Sequence, residues 1–181
     1  GKGTQSSLIV NKFNLHQLST GELLRKEIRD KTNLGIQISS IINSGNLVSD
    51  EIVGGLIEKH VSKKSLKNRL IFDGYPRNLI QAQNLNDLLN KYNQKINIAL
   101  SLTVSLDTII KRIKERSTLE KREDDSEEIA IKRYKTYEKS TEPVLNFYEK
   151  SKLLKVVNGE AKITEINDEI RGLINAIKGW L

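Results

Sequence analysis

A chain of 181 residues and 20.6 kDa has the length of one ordinary domain and can bury a real core. With 37% hydrophobic residues, 29% charged residues and 2 prolines, global disorder is excluded. Zero cysteines exclude disulfides, thiolate metal sites and cysteine nucleophiles, point to a reducing cytoplasmic compartment, and leave only His16 and His60 as soft ligands.

The longest apolar run, Ile96 to Leu106, is interrupted by Asn97, Ser101, Thr103 and Ser105, so no membrane span is expected. The chain opens on Gly1-Lys2-Gly3-Thr4 rather than on a basic stub and an apolar stretch, so no signal peptide is read either. A net charge of +7 suggests anionic partners, although a lysine-covered surface gives the same number. More telling are the nine arginines, at 25, 29, 69, 77, 112, 116, 122, 133 and 171. The rigid five-donor fork of arginine suits phosphate oxygens.

Gly1-Lys2-Gly3-Thr4 matches the back half of a phosphate loop, G-x-x-x-x-G-K-[ST], in which backbone N–H groups and a helix N-terminus surround phosphates. Four such residues alone also fit a flexible glycine-rich end; the helix-forming run Gln5 to Lys12 behind them favours the loop. From Thr20 to Ser62 the pattern is helical, over 21–30, 34–43 and 50–60, punctuated by Ser44-Gly45-Asn46. Arg69 to Phe72 is a short apolar strand that ends on the turn Asp73-Gly74-Tyr75-Pro76. Helix 79–91 follows, then strand 96–104 and helix 106–116. The acidic run Asp124 to Glu128 opens another helix, expected to reach about Lys139. Pro143 begins the stretch 144–150, 153–157 is a strand turned at Asn158-Gly159, and 163–178 is a closing helix. Strands separated by helices of this length predict a parallel α/β sheet, in one folding unit without repeats or linkers.

Asp73 stands where a phosphate-loop enzyme places a carboxylate for Mg²⁺ and its waters, although a turn or cap role fits a lone Asp equally. Gly74 lets a backbone approach a ligand, Pro76 stiffens the turn, and Arg77 presents its fork beside the strand end. Arg112 and Arg116 share one helix face; either Glu115 offsets them or an anion sits nearby.

Taken in order, these motifs resemble an adenylate kinase of the short-lid type. The residues that carry the resemblance are Gly1-Lys2-Gly3-Thr4-Gln5, Leu18 to Arg25, Gly45 to Glu51, Asp73-Gly74-Tyr75-Pro76-Arg77 with Gln81, Arg112, Arg116, Arg122-Glu123-Asp124-Asp125, Arg133 and Thr141-Glu142-Pro143. The resemblance implies an α/β phosphate-loop nucleoside-monophosphate-kinase fold: a parallel sheet flanked by helices, with a helical monophosphate-binding insert at 19–48 and a short lid at 116–124 within a single domain, 1–181. It implies that Gly1, Lys2, Gly3, Thr4, Arg112, Arg116 and the turn at Ala161 bind ATP. Thr20, Arg25, Asn46, Leu47, Val48, Gly74, Tyr75, Pro76, Arg77, Gln81, Arg122 and Arg133 would bind AMP. Lys2, Arg77, Arg112, Arg116, Arg122 and Arg133 would act on the phosphates under transfer, with Thr4 and Asp73 near Mg²⁺ as cofactor, largely through water. Six of the nine arginines fall on these positions.

The implied reaction is transfer of the γ-phosphate of ATP to AMP, giving two ADP, by a cytoplasmic monomer with no nucleic-acid partner. Sister uridylate/cytidylate kinases usually carry Ala where Thr20 stands and lack the Gln matching Gln81, so AMP is expected over UMP or CMP. A non-catalytic basic domain that binds nucleic acid is the other class, and 5% aromatic residues leave it few stacking platforms. The front of the phosphate loop and the strand before it are missing from this sequence. The expectation is therefore a parent chain with about ten more N-terminal residues, and low stability and activity without them.

Overall fold

The computed structural model describes residues 1–120 and 126–177. Arg122, Glu123 and the acidic pair Asp124-Asp125, together with the last residue of the predicted closing helix, lie outside them. Helix α1 (Lys2–Phe13) is followed by strand β1 (His16–Ser19), then by α2 (Thr20–Arg29), α3 (Asn33–Asn43) and α4 (Asp50–Val61). Strand β2 (Leu70–Asp73) leads into α5 (Leu79–Lys91), and β3 (Ala99–Thr103) into α6 (Leu106–Glu120). The rest is α7 (Glu127–Thr136), a π-helical segment (Tyr137–Thr141), α8 (Glu142–Lys150), β4 (Leu154–Asn158) and α9 (Ile163–Asn175).

The fold is α/β with parallel strands flanked by helices, as expected, but the described strands form two separate pairs instead of one sheet. β1 lies parallel to β2 with Ser19 opposite Asp73, and β3 lies parallel to β4 with Thr103 opposite Asn158. Packing joins the pairs. Ile71 of β2 and Leu100 and Leu102 of β3 meet the buried Ile9, Val157, Ile166 and Ile170 in one apolar cluster beneath α1 and α9. A larger core built on Leu18, Ile38, Ile57, Leu85 and Leu89 fastens the helical block α2–α4 to β1, β2 and α5.

Helix starts follow their caps. Ser19 accepts from the Glu22 N–H, Thr32 from Gly35, Asn78 from Gln81 and Ser126 from Ile129, each replacing a bond that the first helical turn lacks. Glu127 and Glu128 then sit at the positive end of α7, as predicted.

Four elements depart from expectation. β1 is new: its four residues have little strand propensity, and only Leu18 is buried, so the strand exists through its pairing with β2. β3 starts at Ala99, later than the predicted Ile96, because the Ala99 N–H already bonds to the Leu153 carbonyl and β4 begins only at Leu154. α6 continues past Arg116 to Glu120, since nothing in that stretch breaks a helix, so the described part of the predicted lid is helical. The expected helix to Lys139 stops at Thr136 and gives way to the π-helical turn.

Gly35 lies where α3 crosses α2. A Cβ there would fall 2.0 Å from the Glu27 carbonyl oxygen, and the obstacle is backbone that cannot swing away, whereas Gly54 in α4 faces open space. We expect Gly35→Ala to destabilise the fold by about 1–3 kcal/mol. Gly54→Ala should gain about 0.5–1 kcal/mol of helix propensity. Urea unfolding midpoints measure both, and equal effects at the two positions would contradict the packing described.

Candidate active site

The site is organised around the turn after β2. Gly74 has φ +76°, a left-handed conformation that a side chain resists. Its carbonyl accepts from Thr20 Oγ1 at 2.9 Å and from Arg77 Nε at 2.7 Å, so one peptide oxygen ties the start of α2 to the arginine. A Cβ on Gly74 would meet Arg77 Nη2 at 3.0 Å, Thr20 Oγ1 at 3.2 Å and Lys2 Nζ at 3.3 Å, which leaves room there for hydrogen alone. Asp73, 6% exposed at the end of β2, pairs with Lys2 Nζ at 3.0 Å through Oδ1 and accepts from Gln17 Nε2 at 2.7 Å through Oδ2. The parallel register that sets Ser19 beside Asp73 therefore delivers α1, α2 and the turn to one point.

That point is the floor of a cavity of about 560 Å³. Among the described residues, Lys2, Arg25, Arg77, Arg116 and Arg133 line it, against two carboxylates, Glu22 and Asp73. Glu22 takes Arg25 at 3.3 Å and Arg29 at 2.7 Å. Burial pushes the Glu22 carboxyl upward, but the hydrogen bonds and charges of those two arginines prevail and hold it below the usual range. Burial, then Arg133 and to a lesser extent Arg25, push the Arg77 guanidinium below its ordinary value, with Asp73 opposing, yet a guanidinium stays cationic at any ordinary pH. The unpaired N–H groups of the first turn of α1 add their positive end. Such a cavity is built for a polyanion.

The opposite wall comes from the helical block. Thr20, Leu24, Ile42, Asn46, Leu47, Val48 and Val53 give it an apolar side. Its tip touches α7. Lys132 Nζ donates to the Ser44 carbonyl at 2.7 Å, and a Cβ on Gly45, at φ +74°, would meet Ile129 Cγ2 at 3.1 Å. At the inner end of this wall Gln81 is 2% exposed. Its Oε1 accepts from the Arg77 N–H at 2.7 Å and its Nε2 donates to Asp50 Oδ1 at 2.8 Å. Asn78 Nδ2 donates to the same Asp50 oxygen at 2.9 Å.

The residues expected to hold ATP divide into two places. Lys2, Gly3 and Arg116 line the cavity. Arg112 stands outside that lining; its Nη2 donates to the Gly159 carbonyl at 3.0 Å, and its Nη1 would be 3.2 Å from a Cβ on Gly1. The Gly159 turn is held by its N–H to the Thr103 carbonyl, and by Glu160, which accepts from the Ser105 N–H at 2.7 Å and the Thr108 hydroxyl at 2.8 Å. Ala161 packs its methyl into the apolar cluster of α9, so only its backbone is available to a ligand. Thr4 is exposed on the first turn of α1, away from the cavity lining.

Of the expected monophosphate residues, Thr20, Arg25, Asn46, Leu47, Val48, Gly74, Arg77, Gln81 and Arg133 do meet in the cavity. Tyr75 packs into the larger core and Pro76, like it, is outside the lining, and Arg122 lies outside the described residues. Gln17 and Ser7 lie outside the expected residues, and Asp50, although within the Gly45 to Glu51 run, has no role expected of it. Gln17 alternates with the buried Leu18, but four residues give too little alternation to reveal a strand. Asp50 reads in the sequence as an ordinary acidic start to α4. No group of three or more His, Cys, Asp or Glu placed to hold a metal occurs among the described residues. No helix among them is long and apolar enough to cross a membrane.

A protein-family model described as adenylate kinase matches residues 1–153. The chain is similar to the adenylate kinase of Pelagibacter ubique, 42% identical, over 96% of this chain and 94% of that protein. It is similar also to those of Bifidobacterium longum, 38% identical over 94% of this chain and 91% of the relative, and Fusobacterium nucleatum, 35% identical with the same coverage.

Two phenols behind the turn provide a test of its burial. Burial, and then the Asp50 charge, push Tyr75 up to about 12, and burial, then Tyr75, does the same for Tyr148. Because the neutral form is the protonated one, this contribution to stability is complete below the ordinary phenol value of about 10 and is lost as pH rises towards 12. In an alkaline absorbance titration of the 5 tyrosines, Tyr75 and Tyr148 should ionise last. Ionisation of all five together near pH 10 in the folded chain would contradict the packing of the turn.

Proposed function

The chain belongs to the adenylate kinase family, and on that premise we propose how this cavity moves the γ-phosphate of ATP to AMP to give two ADP. The observation that carries the reading is the convergence of Lys2, Thr20, Asp73 and Arg77 on Gly74. An oxygen of the AMP phosphate attacks the γ-phosphorus, the new P–O bond forms as the bond to the β-phosphate oxygen breaks, and ADP leaves. The attacking oxygen is already ionised, so no general base is required. His16 and His60, which stack on each other at 5.9 Å between ring centres beyond the far end of β1, have no part in it.

Catalysis then rests on alignment and on neutralising spread negative charge. Lys2, 60% exposed and paired with Asp73, exchanges that carboxylate for the outer phosphates of ATP. Arg25 and Arg77 hold the AMP phosphate, while Arg116 and Arg133, with Arg122, grip the phosphoryl group between the two nucleotides. Arg112 secures the Gly159 turn, whose backbone at Ala161 faces the ATP base, and the N–H groups of Gly1 and Gly3 border its phosphates. Gln81 reads the AMP base, between the apolar wall of Leu47 and Val48, the neighbouring Asn46, and the turn of Gly74, Tyr75 and Pro76.

Mg²⁺ fits the donor set present: Asp73 offers hard carboxylate oxygens at the phosphate end, and this ion keeps most of its waters and takes one or two carboxylates with phosphate oxygens. Asp73 would hold it, with Thr4 the more distant partner. When bound it neutralises charge on the transferred group. The insert 19–48 forms one wall, and the segment 116–124 the short lid, of a single catalytic unit, 1–181, that works as a cytoplasmic monomer. Closing the cavity also keeps water from hydrolysing ATP.

The reading is tested by coupled assay of ADP formed from ATP and Mg²⁺ with AMP, UMP or CMP. AMP should be strongly preferred, and Arg116→Ala or Arg133→Ala should lower kcat about 10²-fold, as for a lost oxyanion donor, with circular dichroism unchanged. Preference for a pyrimidine monophosphate, or no transfer to any, would overturn it.

A further inference from the structure

The Gln81 amide has a polarity that its neighbours dictate. A primary amide offers two lone pairs on oxygen and two protons on nitrogen. At Gln81 one lone pair is taken by the Arg77 N–H at 2.7 Å and one proton by Asp50 Oδ1 at 2.8 Å. Rotating the amide by half a turn would set its oxygen against a carboxylate and its NH₂ against an N–H: two repulsions in place of two hydrogen bonds, at a position 2% exposed where water cannot repair them. Asp50 itself is anchored. The Asn78 amide donates to the same oxygen at 2.9 Å while capping α5 through its own oxygen, and Asp50 occupies the first turn of α4, where the helix favours an anion.

What remains available on Gln81 is one lone pair beside one proton, in fixed order. A 6-aminopurine presents a donor at N6 and an acceptor at N1, complementary to that order. A 6-oxopurine presents an acceptor at O6 and a donor at N1, the reverse, and could be matched only by turning the amide round. We propose that Asp50 is a specificity-determining positioning residue, which locks the Gln81 amide in the orientation that admits AMP and rejects 6-oxopurine monophosphates. The proposal rests on the reading above that Gln81 faces the monophosphate base. The Arg77 N–H belongs to the turn and cannot be removed by a side-chain change, so the lock is opened at Asp50.

Asp50→Asn supplies both a donor and an acceptor, so that position 50 no longer opposes the flipped amide and only the Arg77 N–H still does. Steady-state assays with AMP and IMP, and calorimetric binding of each alone, are compared for the wild-type chain and this variant. The ratio of kcat/KM for AMP to that for IMP should fall about tenfold or more, because buried polar groups left unpaired dominate such discrimination. The KM for ATP should not change. Asn78→Asp is a second variant that keeps the helix cap and pushes Asp50 away from Gln81; it should move the ratio the same way by a smaller factor. An unchanged AMP-to-IMP ratio in both variants would overturn the proposal, as would equal losses for AMP, IMP and ATP, the mark of a merely structural residue. A wild-type chain that binds AMP no better than UMP fails one step earlier, at the base-reading role of Gln81, and takes this proposal with it.

Discussion

Among the described residues, five cationic side chains share a cavity with two carboxylates, and the rest of the fold is arranged around that crowding. Like charges brought together in a partly desolvated space repel, so each must be held by something stronger than its own preference. Arg77 is held by the Gly74 carbonyl, Arg25 by Glu22 and Lys2 by Asp73. These partners come from α2, β2 and the turn after β2, which explains why a pairing of two four-residue strands matters so much. It supplies the rigid corner on which opposed charges can be mounted. A nucleotide phosphate entering the cavity relieves the repulsion and meets groups already aimed, so little reorganisation is left for the reacting state.

Much of this was legible in the residues themselves. α5 runs over the residues that its apolar spacing marks, and α7 begins at the acidic cluster that marks it. The arginines at 25, 77, 116 and 133 could be picked out because a lysine-rich chain keeps few of them, and three helices and the turn after β2 bring them to one cavity. What could not be read has a common cause: it depends on residues distant in sequence. β1 has no alternation of its own and is made by its neighbour. The start of β3 is set by where β4 begins. The orientation of Gln81 depends on Asp50, 31 residues away, and on a backbone N–H that no sequence pattern distinguishes.

The separation of the strands into two pairs changes how the core coheres. Within each pair the backbone ladder is continuous, but between β2 and β3 the described residues are joined by side chains of α1 and α9. Such contacts are non-directional and tolerate small shifts, unlike a ladder of hydrogen bonds. The active-site corner belongs to one pair, and the Gly159 turn to the other. Arg112, reaching from α6 to the Gly159 carbonyl, stays on the β3–β4 side, while Gln5 links α1 to α9 by donating to the Ile163 carbonyl at 2.9 Å and accepting from Asn167 Nδ2 at 3.1 Å.

The π-helical turn at Tyr137–Thr141 sets a phase. Each residue of an α-helix advances about 100° around the axis, and a wider turn inserts extra chain without ending the rod. α7 and α8 therefore point their inner faces independently: Ile129 and Arg133 look towards the insert and the cavity, and Val144 and Tyr148 towards the core under α5. Thr141 pins the junction by donating from Oγ1 to the Arg77 carbonyl at 2.7 Å. Rewinding the same residues as a regular α-helix would preserve every side chain and every hydrogen-bonding residue. It would nonetheless swing Arg133 around the axis relative to Val144, so that the rod could serve the core or the cavity but not both.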